Sequence, residues 1–414
     1  MNYRKRSFIG KTKLLSELCD GIIDCHHSTP KWTESGKLVI RNFNIKKGKL
    51  NLNDLSFTNE ETYKERIKRK KPEAGDLIIT REAPMGEVCI IPEGLECCLG
   101  QRMVLLKPNK KNITGKYLLY ALQSEFVQIQ ILKSDKTGSI VSNLRIPVLE
   151  ELNIPVFDVI SENKIGSLLS DIDSKIELNN LVNNELEAMA KTLYFYWFVQ
   201  FDFPDKNGKP YKTSGGKMVW NNELKREIPE GWQVIEMSKL LLKNNVKYDY
   251  KGFGFDTIDL SVMPSSTMCL TGRNHSDSFS TNLFYLKKFD ILFGAIRPYL
   301  LKAGFAPFDG LVTGTVHSYR TIKKDYYNFA LLTMIQESVF KHAISNSKGT
   351  KMPVIGSDDL LGYKVPFDEG IIIKFNESFS FKEIIAHNIN ENQKLTELRD
   401  WLLPMLMNGQ VKVN

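Results

Sequence analysis

The chain has 414 residues, 42% hydrophobic and 25% charged, with a formal net charge of +8. That length exceeds one ordinary core, so two or more domains are expected, and the composition excludes a disordered or collagen-like chain. Six cysteines without a C-x-x-C pair make no disulfide framework, and no run approaches the ~18 apolar residues that a membrane-spanning helix needs.

The start, MNYRKRSFIGKTKLL, is basic but has neither an apolar core nor a small-residue cleavage site. It reads as no secretory signal, and a cytoplasmic location is expected. Cys25, His26 and His27 are metal-ligand types, but no second cluster has the spacing to complete a tetrahedral site, so no metal is expected. The first strong pattern is GDLIITREAPMGEVCIIPEG, Gly75 to Gly94: an apolar strand, a charged loop, a second apolar strand and a Gly turn. TGKYLLYALQSEFVQIQILKS, Thr114 to Ser134, has apolar residues at helical spacing and a threonine suited to capping. The polar turn SDKTGS and the segment NIPVFD close this unit.

A different period then begins. Ile165, Leu169, Ile172, Ile176, Asn179, Asn183, Leu186, Ala190, Leu193 and Trp197 alternate steps of four and three. That is the seam of a coiled coil rather than a mere amphipathic stripe. At about 1.5 Å per residue this helix is roughly 50 Å long, more than the ~34–36 Å of a DNA helical turn. After it, FDFPDKNGKPYKTSGGKMVWNNELKREIPEGW, Phe201 to Trp232, reads as an irregular connector with room for a short hairpin.

The second half repeats the first. FDILFGAIRPYLLKAGFAPFDG, Phe289 to Gly310, has the strand–loop–strand grammar; DYYNFALLTMIQESVFKHAIS, Asp325 to Ser345, is the helical segment; SNSKGTK is the polar turn. Gly349 to Pro366 spans the same separation as Gly138 to Pro155. A second seam follows through Phe381, Ile384, Asn388, Glu391, Leu395, Leu398, Leu402 and Met405. Asn179, Asn183, Asn388 and Glu391 put polar groups near the middle of both seams, where a buried polar residue costs stability but fixes partner and register. The expected fold is α+β: two similar mixed α/β units separated by two long helices paired as an antiparallel coiled coil. The expected boundaries are 1–158 for the first unit, 159–200 for its helix, 201–231 for the connector, 232–370 for the second unit, and 371–414 for the second helix and tail.

Catalytic signatures are thin. There is no G-x-x-x-x-G-K-[ST] phosphate cradle, no N-P-P-[YF] motif of amino-methyltransferases, no H-E-x-x-H and no nucleophile motif. Asp205, Glu223 and Lys225 match the loose PD…E-x-K pattern of metal-dependent nucleases, whose acids must converge on Mg²⁺. Here they bracket a Gly- and Lys-rich connector, so a self-contained nuclease is the alternative reading; a coiled-coil tether with protein-binding ends is another.

DNA binding has more candidates, because specific recognition needs both phosphate contacts and base-edge readers. In the first unit these are Arg41 and Asn42, Thr80 and Arg81, and Gln101 and Arg102. In the second they are Arg273, Asn274, His275, Arg297 and His317. Arg suits guanine, and Asn or Gln suits adenine, in the major groove. Lys136 and Thr137, and Lys348 and Thr350, are phosphate-clamp candidates in the two polar turns. The basic cluster YKERIKRKK, Tyr63 to Lys71, is either a backbone-tracking patch or an exposed charged face.

Laid out this way, the chain resembles the specificity subunit of a type I restriction–modification enzyme. The most specific resemblance is the central block from Met189 to Trp232. LRDWLLPMLMNGQVKV, Leu398 to Val413, is similar to the family's C-terminal signature, and GDLII and FDILF are similar to the strand in each target recognition domain. Each recognition domain of many members ends in a double-Pro, E-Q tract; IPVFDV and VPFDEG keep one Pro and lack E-Q. The resemblance implies a non-catalytic subunit that binds double-stranded DNA at a bipartite, asymmetric site, one half per target recognition domain. It implies two methyltransferase subunits and restriction/translocase subunits as partners, with S-adenosylmethionine, ATP and Mg in those partners and no cofactor in this chain. No base-contacting residue carries over, since recognition domains diverge with the half-sites they read.

Overall fold

The computed structural model describes residues 10–134, 143–249 and 254–413; Lys136 and Thr137 lie outside them. The chain divides into two compact units, one made of Met1–Ser174 with Leu395–Asn414 and the other of Lys175–Lys394.

In the first unit, Leu77–Thr80 is buried at every position, as its unbroken apolar run requires of a strand covered on both faces. It sits inside an antiparallel sheet ordered Cys19–Asp24, Met103–Pro108, Leu77–Thr80, Val88–Ile90. A second sheet is ordered Cys97–Leu99, Lys37–Ile40, Ser56–Thr58, Trp32–Thr33, with its first two strands parallel. The helix Gly115–Gln123 is capped by Thr114, whose hydroxyl accepts from the Tyr117 amide at 3.3 Å. Gly166 in the long helix lets it cross close to this N-terminus: a Cβ there would lie 2.9 Å from the Tyr117 nitrogen. Thr12–Leu14 pairs with Asn153–Pro155 and closes the unit.

The second unit is built to the same plan. Its antiparallel sheet is ordered Leu241–Lys243, Val316–Thr321, Ile291–Gly294, Ala303–Phe305. Its other sheet also contains a parallel pair, Asp256–Ile258 with Gly310–Thr313. Gln233–Glu236 pairs with Lys364–Phe367, placing Pro366 in the closing strand as Pro155 is in the first unit. The repeat diverges at the fourth strand of the second sheet. Trp32–Thr33 extends the Ser56–Thr58 edge in the first unit, whereas Leu283–Leu286 extends the Gly310–Thr313 edge in the second.

The helices Val159–Tyr194 and Lys382–Met407 each contribute to both units. Within the first unit, Ile165 and Leu169 share a core with Leu402 and Leu406, and Asp173 bonds Arg399 at 2.7 Å. Within the second, Asn179 donates to Glu391 at 2.7 Å and Asn388 donates to Asn183 at 2.9 Å. Partner numbers fall as the first helix's numbers rise, so the helices run antiparallel. The first seam is buried or half-buried throughout. The second differs from its sequence pattern: Ile384 and Leu398 are 46% and 43% exposed, while Ile385 and Leu406 are fully buried. A strict seven-residue repeat drifts against the ~3.6-residue turn, and adjacent apolar pairs such as Ile384–Ile385 give the pattern no way to choose. The residues before this helix form a helix of their own, Glu369–Ser378.

Candidate nucleic-acid interface

Parallel pairing of Lys37–Ile40 with Cys97–Leu99 sets Ile40 opposite Leu99, so the residues leaving both strands emerge side by side. These are Arg41 and Asn42 from one strand and Gly100, Gln101 and Arg102 from the other. Gly100 permits the approach: a Cβ there would lie 2.9 Å from the Ile40 carbonyl oxygen. Four candidates separated by some sixty residues of chain thus form one surface of the first unit.

Glu82 ties this surface together. Its carbonyl accepts from Asn42 Nδ2 at 2.6 Å, and its carboxylate accepts from Asn143 Nδ2 at 2.7 Å and lies 3.2 Å from Arg102 Nε. Gln101 donates to the His27 carbonyl. Arg102 remains half exposed and Arg41 is exposed. Arg41 carries no carboxylate partner among the described residues; its guanidinium carbon lies 4.9 Å from the Trp32 ring centroid and 4.6 Å from that of Phe43.

Thr80 and Arg81 belong to the scaffold beneath. Thr80 is fully buried; its hydroxyl donates to the Pro84 carbonyl at 2.6 Å and accepts from the Glu87 amide at 3.0 Å. Arg81 is also buried, with Nη1 2.9 Å from Asp24 Oδ1, Nε donating to Leu144 O at 2.9 Å and Nη2 to Asn143 Oδ1 at 3.2 Å. Its donors brace the loop rather than face solvent. In the basic cluster, Arg66 is likewise buried, donating to Leu99 O at 2.8 Å.

In the second unit the candidates divide in the same way. Arg273 pairs with Asp256, donates to Asn390 Oδ1 at 2.8 Å and stacks 4.5 Å from the Phe308 centroid, so it ties the strand Asp256–Ile258 to the long helix. Asn274 Nδ2 donates to Asp259 at 2.8 Å and to Ser261 at 3.1 Å. His317 is mostly buried, with Nε2 2.9 Å from the Ile355 carbonyl, and burial lowers its pKa below the ordinary 6.5. His275, Arg297, Lys348 and Thr350 are exposed. Arg297 adopts a left-handed backbone (φ 52°) and its amide donates to Pro353 O at 2.8 Å, bringing its turn against the one that holds Lys348.

Trp32, Phe43, Glu82 and Asn143 were not among the sequence candidates. Trp32 and Phe43 flank Arg41 in a strand-end pattern that exposure alone distinguishes from core. Glu82 directly follows Arg81, but nothing local reveals that it reaches Asn42 and Arg102.

The acids of the nuclease pattern are engaged separately. Asp205 caps its own turn, accepting from the Asn207 and Lys209 amides at 2.7 and 2.9 Å, while Glu223 pairs with Lys364 at 2.6 Å. Among the described residues no three His, Cys, Asp or Glu side chains are grouped to hold a metal ion. Burial pushes the Cys19, Cys97 and Cys269 thiols up to about 12 and Cys98 to about 11, so none is a thiolate at neutral pH. No helix among the described residues is long and apolar enough to cross a membrane.

Residues 31–188 match the type I restriction modification DNA specificity domain. The chain is 25% identical over 357 residues to the MjaIX type I restriction enzyme specificity subunit of Methanocaldococcus jannaschii, covering 82% of this chain and 78% of that one. It is 20% identical over 405 residues to the HindI specificity subunit of Haemophilus influenzae, covering 83% and 88%. The crystal structure of the S subunit of a type I restriction–modification system from M. genitalium shares the fold, with a TM-score of 0.59, 15% identity and 98% of each chain covered. Over most of its length in sequence, and in fold, the chain is similar to the specificity subunits of type I restriction–modification enzymes.

Proposed function

We propose that each unit reads one half of a bipartite, asymmetric site in double-stranded DNA, and that the chain performs no chemistry of its own. In this reading it presents the site to two methyltransferase subunits, which bring S-adenosylmethionine, and to restriction/translocase subunits, which bring ATP and Mg. The exposed Arg41 and Arg102, with half-buried Asn42 and Gln101 beside them, face the DNA in the first unit, and the exposed His275, Arg297, Lys348 and Thr350 do so in the second. Lys136 and Thr137 take the phosphate-clamp role in the first unit. Thr80, Arg81, Arg273, Asn274 and His317 hold the loops that carry these residues.

One observation carries the reading: in the first unit a parallel strand pair delivers Arg, Asn, Gln and Arg to one surface, and the second unit repeats that strand pair with different loop residues. A conserved frame with variable exposed donors suits two readers of unlike half-sites. Replacing residues 1–145 by the same segment of a relative tests it. In cells that hold the modification subunits, mapping methylated adenines before and after the swap is expected to change one half of a split motif and keep the other. A motif that is unaltered, or altered in both halves, contradicts the assignment of one half-site to each unit.

A further inference from the structure

We infer that Arg41 is a specificity-determining residue of the first unit that reads a guanine, with Trp32 and Phe43 as the positioning residues that hold its guanidinium. The inference rests on the DNA-recognition reading above and adds to it a residue, a base and a device.

Three features separate Arg41 from the other arginines around it. Arg81 is spent on Asp24 and Leu144, Arg102 leans on Glu82, and Arg66 bonds backbone carbonyls. Arg41 makes one long side-chain hydrogen bond, Nη1 to Ser56 Oγ at 3.4 Å, so most of its donor fork is uncommitted. Its backbone, by contrast, is fixed. The Arg41 amide donates to Asn44 Oδ1 at 2.9 Å, and buried Asn44 in turn donates to the Asn51 and Asp54 carbonyls, each at 2.9 Å.

The second feature is the pair of aromatic rings. Trp32 and Phe43 remain 43% and 46% exposed, although rings of this size usually bury most of their surface. Neither belongs to the unit's core clusters. What they touch is the Arg41 guanidinium, at cation–π distance. A stacked guanidinium has lost much of its rotamer freedom before binding, so less is lost when it meets a ligand.

The third feature is chemical. A planar fork with free N–H groups matches the O6 and N7 acceptors of guanine in the major groove, which an ammonium cannot engage in the same bidentate way. A phosphate would also accept from the fork, but it would give no dependence on sequence.

The test is selection from a random-sequence duplex DNA library by the full chain in complex with its methyltransferase subunits, comparing wild type with Arg41→Lys, Trp32→Leu and Phe43→Leu. The expected result is a split motif for wild type in which Arg41→Lys weakens the preference for one guanine in one half by about tenfold or more. All other positions, and the salt dependence of non-specific binding, stay as in wild type. Trp32→Leu and Phe43→Leu should soften preference at the same position and nowhere else. An unchanged motif in Arg41→Lys overturns the inference while leaving DNA recognition standing. So does an equal loss at every position. A wild-type complex that selects no motif overturns both.

Discussion

In the first unit the Leu144 carbonyl accepts from Arg81 Nε at 2.9 Å; in the second, the corresponding Ile355 carbonyl is met by His317 Nε2, also at 2.9 Å. Around these carbonyls the backbones agree. The Leu144 amide donates to Arg81 O and the Ile355 amide to Ala295 O, both at 3.0 Å; the Arg81 amide donates to Arg102 O and the Ala295 amide to Thr315 O, at 2.8 and 3.0 Å. Arg81 and Ala295 therefore occupy one position of a shared frame. The buried carbonyl must be satisfied in each unit, but which side chain does so, and from which strand, is free to vary. Even the turn before the central strand follows this rule. Gly75 takes a left-handed φ of 89°, and its counterpart Phe289 takes 72°, a strained conformation whose ring packs against Phe305 and Tyr327.

The portions of the long-helix seam in the two units contrast as well. The first unit's portion is apolar, with Leu169 fully buried beside Leu406; the second's is polar, with Asn183 and Asn388 buried against each other. If the apolar portion supplies stability, Leu169→Ala should cost about 2–5 kcal/mol, from lost burial and the cavity left behind. Chemical denaturation measures this, and a cost below about 1 kcal/mol would make the two portions energetically alike.

Arg81→Met tests whether the shared frame depends on its brace. The substitution keeps an unbranched apolar stem but removes the guanidinium, which takes from Leu144 O its Nε donor and from Asp24 its cationic partner. Because Asp24 is partly exposed and keeps His27 at 3.0 Å, the expected loss is about 2–3 kcal/mol, below that of a fully buried pair. Protection of the Leu144 amide against hydrogen exchange should fall with it, while amides of the second unit keep theirs.

Asn388→Leu addresses the polar portion of the seam. It strands the buried Asn183 side chain, and a loss of about 1–3 kcal/mol is expected. The double variant Asn183→Leu/Asn388→Leu should recover that loss or exceed wild type, since both members of the pair become apolar. What it should lose is unique pairing, read as broadened or doubled resonances of the helix. A double variant as unstable as the single one would mean that the layer contributes stability rather than register.

Much of this contrast was legible beforehand. Alternating steps of four and three placed the first seam residue by residue, including Asn179 and Asn183, because a helix repeats a local rule. The equal spacing from each polar turn to Pro155 and Pro366 exposed the duplication. The interface was harder to read. Arg41 and Arg102 meet only through a long-range parallel pairing, for which neither strand's sequence carries a mark. Arg81 and Arg41 look alike in sequence, each at the end of an apolar strand. Only the position of Asp24 makes the first a brace, and only exposed Trp32 and Phe43 distinguish the second.

The mildest test returns to the paired carbonyls. His317 is half-buried beside Tyr319 and bonded to Ile355 O, with Lys243 disfavouring and Asp358 favouring its protonation; loss of solvent around the ring is the largest effect, so the folded pKa lies below 6.5. Above pH 6.5 the imidazole is neutral in both folded and unfolded chains and contributes no pH dependence. As pH falls below 6.5 the unfolded chain takes up a proton that the folded unit refuses, so stability declines until the folded pKa is reached. His317→Gln places an amide donor near the position of the ring Nε2, and so keeps a donor for Ile355 O without a titrating group. Its denaturation midpoint should fall less than that of wild type between about pH 7 and pH 5. Parallel midpoints for the two proteins across that range would mean that the His317 ring is protonated as readily in the folded unit as in the open chain, and that the carbonyl it meets gains nothing from its burial.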